Sequence, residues 1–220
     1  MVVAGPSTIP AGEYVPTADQ RVVMHGVPWS HYEAQVALRG EAAVPRMSYL
    51  EGALELRSPS KDHERIKSYL GCLIEAYALA RDIDLSPYGA WTLRNAPKES
   101  GAEPDECYII GPDQEKEVPD LAIEVVWTGG GIDKLEIYRR LGIREVWVWK
   151  EDRIEINVSR GGGYERTRRS RLLPELDVDL LVSFLTRPTA LQAVKAYREE
   201  LAKSTGSRVR SPRSDRGRPR

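Results

Sequence analysis

The sequence has few of the side chains from which zinc sites are built. It contains two cysteines, Cys72 and Cys107, which form no CxxC pair, and its only histidines are His25, His31 and His63. This scarcity argues against a structural zinc site and against an imidazole-based zinc centre. A bound metal would have oxygen ligands, which favours magnesium or manganese.

Several sequence signals are also missing. No apolar run approaches the roughly 18 residues that a bilayer-spanning helix needs. Residues 1–10 contain neither a basic leader nor a long apolar core, so they do not resemble a secretory signal, and the default expectation is a cytoplasmic protein without membrane contact. Neither a P-loop nor a dinucleotide fingerprint occurs, so nothing supports hydrolysis of a small phosphorylated molecule.

Charge is distributed unevenly along the chain. The net charge is −1, but residues 208–220 contain six arginines and one aspartate, a charge of +5 that leaves −6 for residues 1–207. A mildly acidic body does not indicate nucleic-acid binding by bulk charge. Contact with a phosphate backbone would have to be local or involve the basic tail, which is equally well read as a solvated, disordered end.

Composition along the 220 residues predicts one domain with two appendages. Prolines without periodicity indicate a flexible arm over residues 1–20. Residues 21–203 form the predicted domain, and the Ser, Gly, Pro and Arg content of residues 204–220 predicts a disordered basic tail.

Hydrophobic periodicity predicts a mixed α/β sheet. A hairpin is expected over residues 45–57, and a long amphipathic helix ends near Arg81 and covers one sheet face. A strand, a crossover helix and a second strand over residues 121–149 have the length of a βαβ unit, which predicts two parallel strands. The other predicted elements are strands over residues 85–93 and 106–110, an edge hairpin over residues 153–168 and a terminal helix.

A carboxylate interrupts the most apolar of these strands. Glu124 lies within Leu121–Val126, and an unpartnered ionised acid buried there would cost several kcal/mol or more. Asp105 begins the preceding strand, and Lys134 lies in the first turn of the crossover helix. Two acids could hold a hard divalent cation, and a lysine could position water or offset charge on a phosphate oxygen.

Each of these residues also has a structural explanation. Asp105 could be a turn acid after Pro104, Glu124 could pair with a buried arginine, and Lys134 could be a solvated helix residue. Asp120 forms a second Pro-Asp pair, but on an extended strand it lies roughly 13 Å from Glu124, which favours a role at the strand start.

An ordered series of short motifs resembles the Uma2 family of restriction endonuclease-like proteins, which have the PD-(D/E)XK nuclease fold. The resemblance runs from about Tyr49 to Leu185. The motifs are Glu51-Gly52, Arg57-Ser-Pro-Ser60, His63 with Ile66, Glu103-Pro-Asp105, residues 119–125, residues 134–138 and residues 142–147.

The resemblance implies roles for particular residues. Asp105 would be the first acid of the motif and Glu124 the second. Lys134 would be a displaced lysine, because the position two residues after Glu124 is Val126. The implied metal ligands are Asp105, Glu124 and the backbone carbonyl of Val125.

The implied activity is hydrolysis of DNA phosphodiester bonds by an endonuclease that uses Mg²⁺ or Mn²⁺. His63 and Glu64 at the start of the long helix are auxiliary candidates, and Tyr138 either supports the lysine or packs in the core. The alternative is a catalytically inactive nucleic-acid-binding or assembly module of the same fold. A homodimer is also possible.

Overall fold

The computed structural model describes residues 18–127 and 131–209, with the backbone alone for residues 204–209. Most of the predicted arm and tail, residues 1–17 and 210–220, lies outside this range. Two boundaries differ from the prediction. Asp19 and Gln20 belong to the fold because Asp19 is buried against Ser60 and His63. The last helix continues to Val209, since each residue added to an existing helix gains a hydrogen bond.

Strands and helices are mixed along the chain. The strands are β1 (Gln20–Met24), β2 (Arg46–Leu50), β3 (Ala53–Ser58), β4 (Leu85–Pro87), β5 (Leu93–Asn95), β6 (Ser100–Ala102), β7 (Glu106–Ile110), β8 (Leu121–Val125), β9 (Glu145–Lys150), β10 (Arg153–Arg160) and β11 (Gly163–Thr167). The helices are α1 (Trp29–Arg39), α2 (Lys61–Arg81), α3 (Lys134–Leu141), α4 (Val178–Ser183) and α5 (Ala190–Val209). The mixed α/β class is as predicted.

One sheet is antiparallel, with strand order β1-β3-β2-β6-β5. Its centre is the predicted hairpin of β2 and β3, which turns at Glu51 and Gly52. Both residues have positive φ, 44° and 86°, a conformation that glycine adopts without strain. The hairpin prediction is confirmed.

The other sheet has strand order β11-β10-β9-β8-β7-β4. Its strands β8 and β9 are parallel, with Leu121 opposite Glu145, and helix α3 connects them. The remaining neighbours are antiparallel, including the edge hairpin of β10 and β11. The predicted crossover unit and edge hairpin are confirmed.

The strand predicted over residues 85–93 is wrong. Two short strands, β4 and β5, replace it and belong to different sheets. Pro87 has no N–H with which to continue a ladder, and Gly89 adopts a φ of 60°. These two residues end the first strand and redirect the chain.

The two faces of β8 contact different parts of the molecule. Leu121, Ile123 and Val125 belong to the large core formed with α2, α4 and α5. Ala122 belongs to a smaller core formed with α3 and β5. Glu124 shares the face of Ala122, so the strand directs this acid toward α3. No helix in the described range is both long and apolar enough to cross a bilayer.

Candidate active site

Glu124 lies on β8 under the first two turns of α3, and it is 2% exposed to solvent. Lys134 Nζ is 3.4 Å from Glu124 Oε1, and the Tyr138 hydroxyl donates a short hydrogen bond to the same oxygen. The lysine and tyrosine are four residues apart, which places them on one helix face. The structure therefore brings three of the predicted residues together.

Asp105 lies immediately before β7 and is completely buried. Its Oδ1 accepts hydrogen bonds from Arg57 Nη2 at 2.7 Å and Arg46 Nη1 at 2.8 Å. Its Oδ2 accepts a hydrogen bond from the Val125 N–H at 2.7 Å and lies 3.1 Å from His63 Nε2. Both carboxylate oxygens are thus occupied by donors.

Arg57 connects the two acids. Its Nη2 lies 2.7 Å from Asp105 Oδ1 and 3.5 Å from Glu124 Oε2. This arginine comes from β3 of the other sheet and is 3% exposed. Asp105 and Glu124 therefore face one common cation, the Arg57 guanidinium.

The charges around Asp105 stabilise its ionised form. Burial alone would raise the pKa of Asp105, but the charge of Arg57, the hydrogen bond from His63 and the charge of Arg46 hold it below its usual range. Burial and the charge of Glu124 raise the pKa of Tyr138 well above its ordinary value. Tyr138 is therefore protonated and acts as a donor.

His63 lies between two carboxylates. Its Nδ1 is 2.9 Å from Asp19 Oδ2, and its Nε2 faces Asp105. Burial opposes the charged ring, yet the hydrogen bonds with Asp105 and Asp19 raise the pKa of His63 to about 9. The imidazolium thus adds a third positive charge around Asp105. Asp19 was missed by the sequence reasoning, because it falls within the proline-rich segment that indicated an arm.

Glu64 does not reach the acid pair. Its side chain is 41% exposed, accepts a hydrogen bond from Arg46 at 2.9 Å and lies 3.6 Å from Lys67. Arg46 is in turn held by the Pro104 carbonyl at 3.2 Å. Glu64 therefore acts on Asp105 only through Arg46.

A cleft of about 280 Å³ opens beside Glu124, and it is lined by charged residues from both sheets and α3. On its wall, Glu55 Oε2 lies 3.3 Å from Arg21 Nε and accepts a hydrogen bond from the Ile132 N–H. Gly131 has a φ of 105°, and a Cβ at this position would collide with Glu55. Glu55 therefore anchors the segment that leads into Lys134.

Glu55 and Arg57 were recognised only as part of a hairpin or motif. They share one face of β3, whereas Leu54 and Leu56 on the other face pack against a separate apolar cluster. Alternation of charged and apolar residues usually indicates a solvent-facing side, so the pattern did not reveal that Glu55 and Arg57 are buried. The useful signal was two opposite charges at i and i+2, the second of which begins the motif Arg57-Ser-Pro-Ser60.

A divalent cation does not fit the acid pair in this arrangement. The donors are hard oxygens of the kind that magnesium and manganese prefer, but the Arg57 guanidinium lies between them. Within residues 18–127 and 131–203, no three His, Cys, Asp or Glu side chains form a group that could hold a metal ion. The Val125 N–H supports Asp105, and the role of its carbonyl as a ligand stays a prediction.

Asp120 lies apart from this site, as the sequence indicated. It accepts hydrogen bonds from Lys116 Nζ at 2.6 Å, Arg144 Nη1 at 3.0 Å and the Ile110 N–H at 2.8 Å. These contacts tie the loop before β8 to the ends of β7 and β9. Asp120 has a structural role at the start of its strand.

No curated protein matches the chain. A crystal structure described as "a putative nuclease belonging to DUF820", from Anabaena variabilis, is 15% identical, with a TM-score of 0.41 over 75% of this chain and 96% of that chain. The model of the Uma2 family, described as "Putative restriction endonuclease", matches residues 29–190. Because this match spans most of the chain and includes both acids and Lys134, the protein belongs to the Uma2 family.

Proposed function

We propose that the protein is an endonuclease that hydrolyses DNA phosphodiester bonds in the cleft beside Glu124. The observation that carries this proposal is that Asp105 and Glu124 share the Arg57 guanidinium and that Lys134 contacts Glu124, beside a cleft that Glu124 and Lys134 line. Membership of the Uma2 family supports the same reaction class.

The chain's own residues suggest a division of labour. Lys134 and Arg57 line the cleft and would bind non-bridging phosphate oxygens. Glu124 would orient a water molecule for in-line attack on phosphorus. Tyr138 and Lys134 fix its carboxylate from one side. The use of magnesium or manganese by this chain stays a prediction. The cleavage assay therefore compares both metals with EDTA.

The test is a cleavage assay on supercoiled, linear and single-stranded DNA with Mg²⁺, Mn²⁺ or EDTA. Glu124→Gln and Lys134→Ala should each reduce the cleavage rate by about 100-fold or more, because each removes a group at the reacting centre. Glu136→Gln is the matched control. Glu136 lies on the same helix but pairs with Arg139 and Arg140, so its variant should cleave at the wild-type rate. Equal rates in the wild type and Glu124→Gln would refute the proposal.

A second candidate function is a nucleic-acid-binding or assembly module that does not cleave. The observation that favours it is the neutralisation of the acid pair by Arg57, Arg46 and Lys134. This candidate predicts salt-dependent retention of DNA in gel-shift experiments with no product under any metal condition. A homodimer would appear as twice the monomer mass in light scattering.

A further inference from the structure

Three arginines form a row across the antiparallel sheet. In the strand register, Arg21 of β1 is opposite Arg57 of β3, and Arg57 is opposite Arg46 of β2. Adjacent strands are about 4.8 Å apart, and like charges directly opposite each other destabilise a sheet unless acids compensate them. Here the outer two pair with Glu55 and Glu64. The central one pairs with the two acids of the site.

Arg57 differs from its neighbours in how it is held. Arg46 is anchored by Asp105, Glu64 and the Pro104 carbonyl, and it lines a different cavity from Arg57. Among the described residues, the guanidinium of Arg57 forms ion pairs only with the two site acids. Its Nε–H, like that of Arg46, is buried and has no hydrogen-bond partner in the described part of the chain. Arg57 therefore has fewer polar partners than Arg46, which a backbone carbonyl also holds.

The cleft supplies a destination for this side chain. Arg57 lines its wall together with Lys134 and Arg21. A phosphate group in the cleft would offer oxygens in the geometry that a guanidinium binds best. Rotation of the long side chain toward the cleft would leave Asp105 Oδ1 and Glu124 Oε2 facing each other without the cation between them.

We propose that Arg57 is a built-in competitor of divalent metal: it occupies the cation position between Asp105 and Glu124 and yields it when the guanidinium moves onto a phosphate group in the cleft. This inference rests on the proposed function for the identity of the phosphate, which is that of DNA. The competition itself does not depend on DNA. It follows from one nitrogen lying within hydrogen-bonding or ion-pair distance of both acids.

The direct test measures Mn²⁺ binding without DNA. Electron paramagnetic resonance counts free Mn²⁺ during titration of the wild type, Arg57→Gln, Arg57→Lys and Arg21→Gln. Arg57→Gln should bind Mn²⁺ at least tenfold more tightly than the wild type, because the two acids lose the one cation that they share. Arg57→Lys keeps the positive charge, so its Mn²⁺ affinity should lie between those of the wild type and Arg57→Gln. Arg21→Gln is the matched control from the same row and should stay within about threefold of the wild type.

The position of the ion is tested with Arg57→Gln/Glu124→Gln. This variant should lose the gain in Mn²⁺ affinity. Equal affinities in the wild type and Arg57→Gln, or a gain that survives the loss of the Glu124 charge, would overturn the proposal. Millimolar Mn²⁺ should also raise the melting temperature of Arg57→Gln more than that of the wild type.

If Arg57→Gln does not fold, wild-type crystals soaked in Mn²⁺ decide the question. An ion between the acids with Arg57 displaced toward the cleft supports competition, whereas an acid pair still bridged by Arg57 without an ion at saturating Mn²⁺ refutes it. An ion bound while Arg57 stays in contact with both acids refutes it. Failure of the proposed function is separate: a protein that gains Mn²⁺ affinity through Arg57→Gln but never cleaves DNA would retain the competition and lose the nuclease assignment.

Discussion

Two Pro-Asp pairs precede neighbouring strands of the same sheet, and their surroundings are opposite. Asp105 is surrounded by Arg57, Arg46 and His63, which come from β3, β2 and α2. Asp120 is held by Lys116, four residues earlier, and by Arg144 and the Ile110 N–H near it in the sheet. Asp105 thus contacts charged residues that are distant in sequence, whereas Asp120 holds the loop before its own strand.

Strand direction explains the difference. Strands β7 and β8 are antiparallel, so the residues just before each strand lie at opposite ends of the pair. The Asp105 N–H donates to the Ile123 carbonyl near the end of β8, and the Asp120 N–H donates to the Tyr108 carbonyl of β7. Only the Asp105 end coincides with Glu124 and the start of α3. A dipeptide motif thus acquires its role from topology.

The largest contrast should appear in the free energy of unfolding. Asp105→Ala removes the acid that compensates two buried arginines and a charged histidine, which should cost about 3–5 kcal/mol. Asp120→Ala removes a largely buried acid whose partners reach solvent, and should cost about 1–2 kcal/mol. Urea unfolding of both variants at neutral pH measures the difference.

Asp105→Asn and Asp120→Asn provide the control for side-chain volume. Each amide preserves the shape of the acid and removes its charge. Asp105→Asn should therefore still lose more unfolding free energy than Asp120→Asn, although both losses should be smaller than those of the alanine variants. If Asp120→Asn were as destabilising as Asp105→Asn, the proposed contrast between the two ends of the strand pair would be wrong.

The unit that holds Glu124 could be predicted from the sequence because its information is local. Alternation over residues 121–126 assigned Glu124 to the face of Ala122, and helical spacing placed Lys134 and Tyr138 together. A helix that returns from the end of a parallel strand carries its first turn over that strand. The convergence of these three residues followed from this geometry.

The cations around Asp105 could not be predicted in the same way. Arg46 and Arg57 belong to a different sheet, and no local pattern specifies how two sheets face each other. The role of Asp19 was even harder to predict, because its partner His63 is 44 residues away and its surroundings are rich in proline. Nothing in the sequence distinguished Asp19 from Glu13, the other acid of the predicted arm.

The second contrast concerns pH, since His63 contacts Asp105, whereas no histidine in the described part of the chain contacts Asp120. The pKa of His63 is raised from 6.5 to about 9 in the folded state. Its charged form therefore contributes stability that is fully present below about pH 6.5 and is lost as the pH rises through about 9, on the order of 3 kcal/mol at most. The wild-type melting temperature should fall across this range.

Melting curves of His63→Gln and His31→Gln separate this contribution from general alkaline destabilisation. His63→Gln should abolish most of the fall in melting temperature with rising pH. Asp19→Asn should reduce this fall, because one of the two carboxylates that contact His63 loses its charge. His31 is exposed, and His31→Gln should follow the wild-type curve. If the melting temperature of His63→Gln depended on pH as steeply as that of the wild type, His63 would not be the cause of the pH dependence.

The smallest effects should come from the partners of Asp120. Lys116 and Arg144 have side chains that are 26% and 66% exposed, so water replaces either cation when it is removed. Lys116→Ala and Arg144→Ala should each cost less than about 1 kcal/mol in urea unfolding, whereas Arg46→Ala, which leaves Asp105 with one fewer buried partner, should cost about 3 kcal/mol or more. The double variant Lys116→Ala/Arg144→Ala sharpens the comparison, because the Ile110 N–H still satisfies Asp120. A loss of more than about 3 kcal/mol in this double variant would mean that Asp120, like Asp105, depends on its cations to remain in the folded protein.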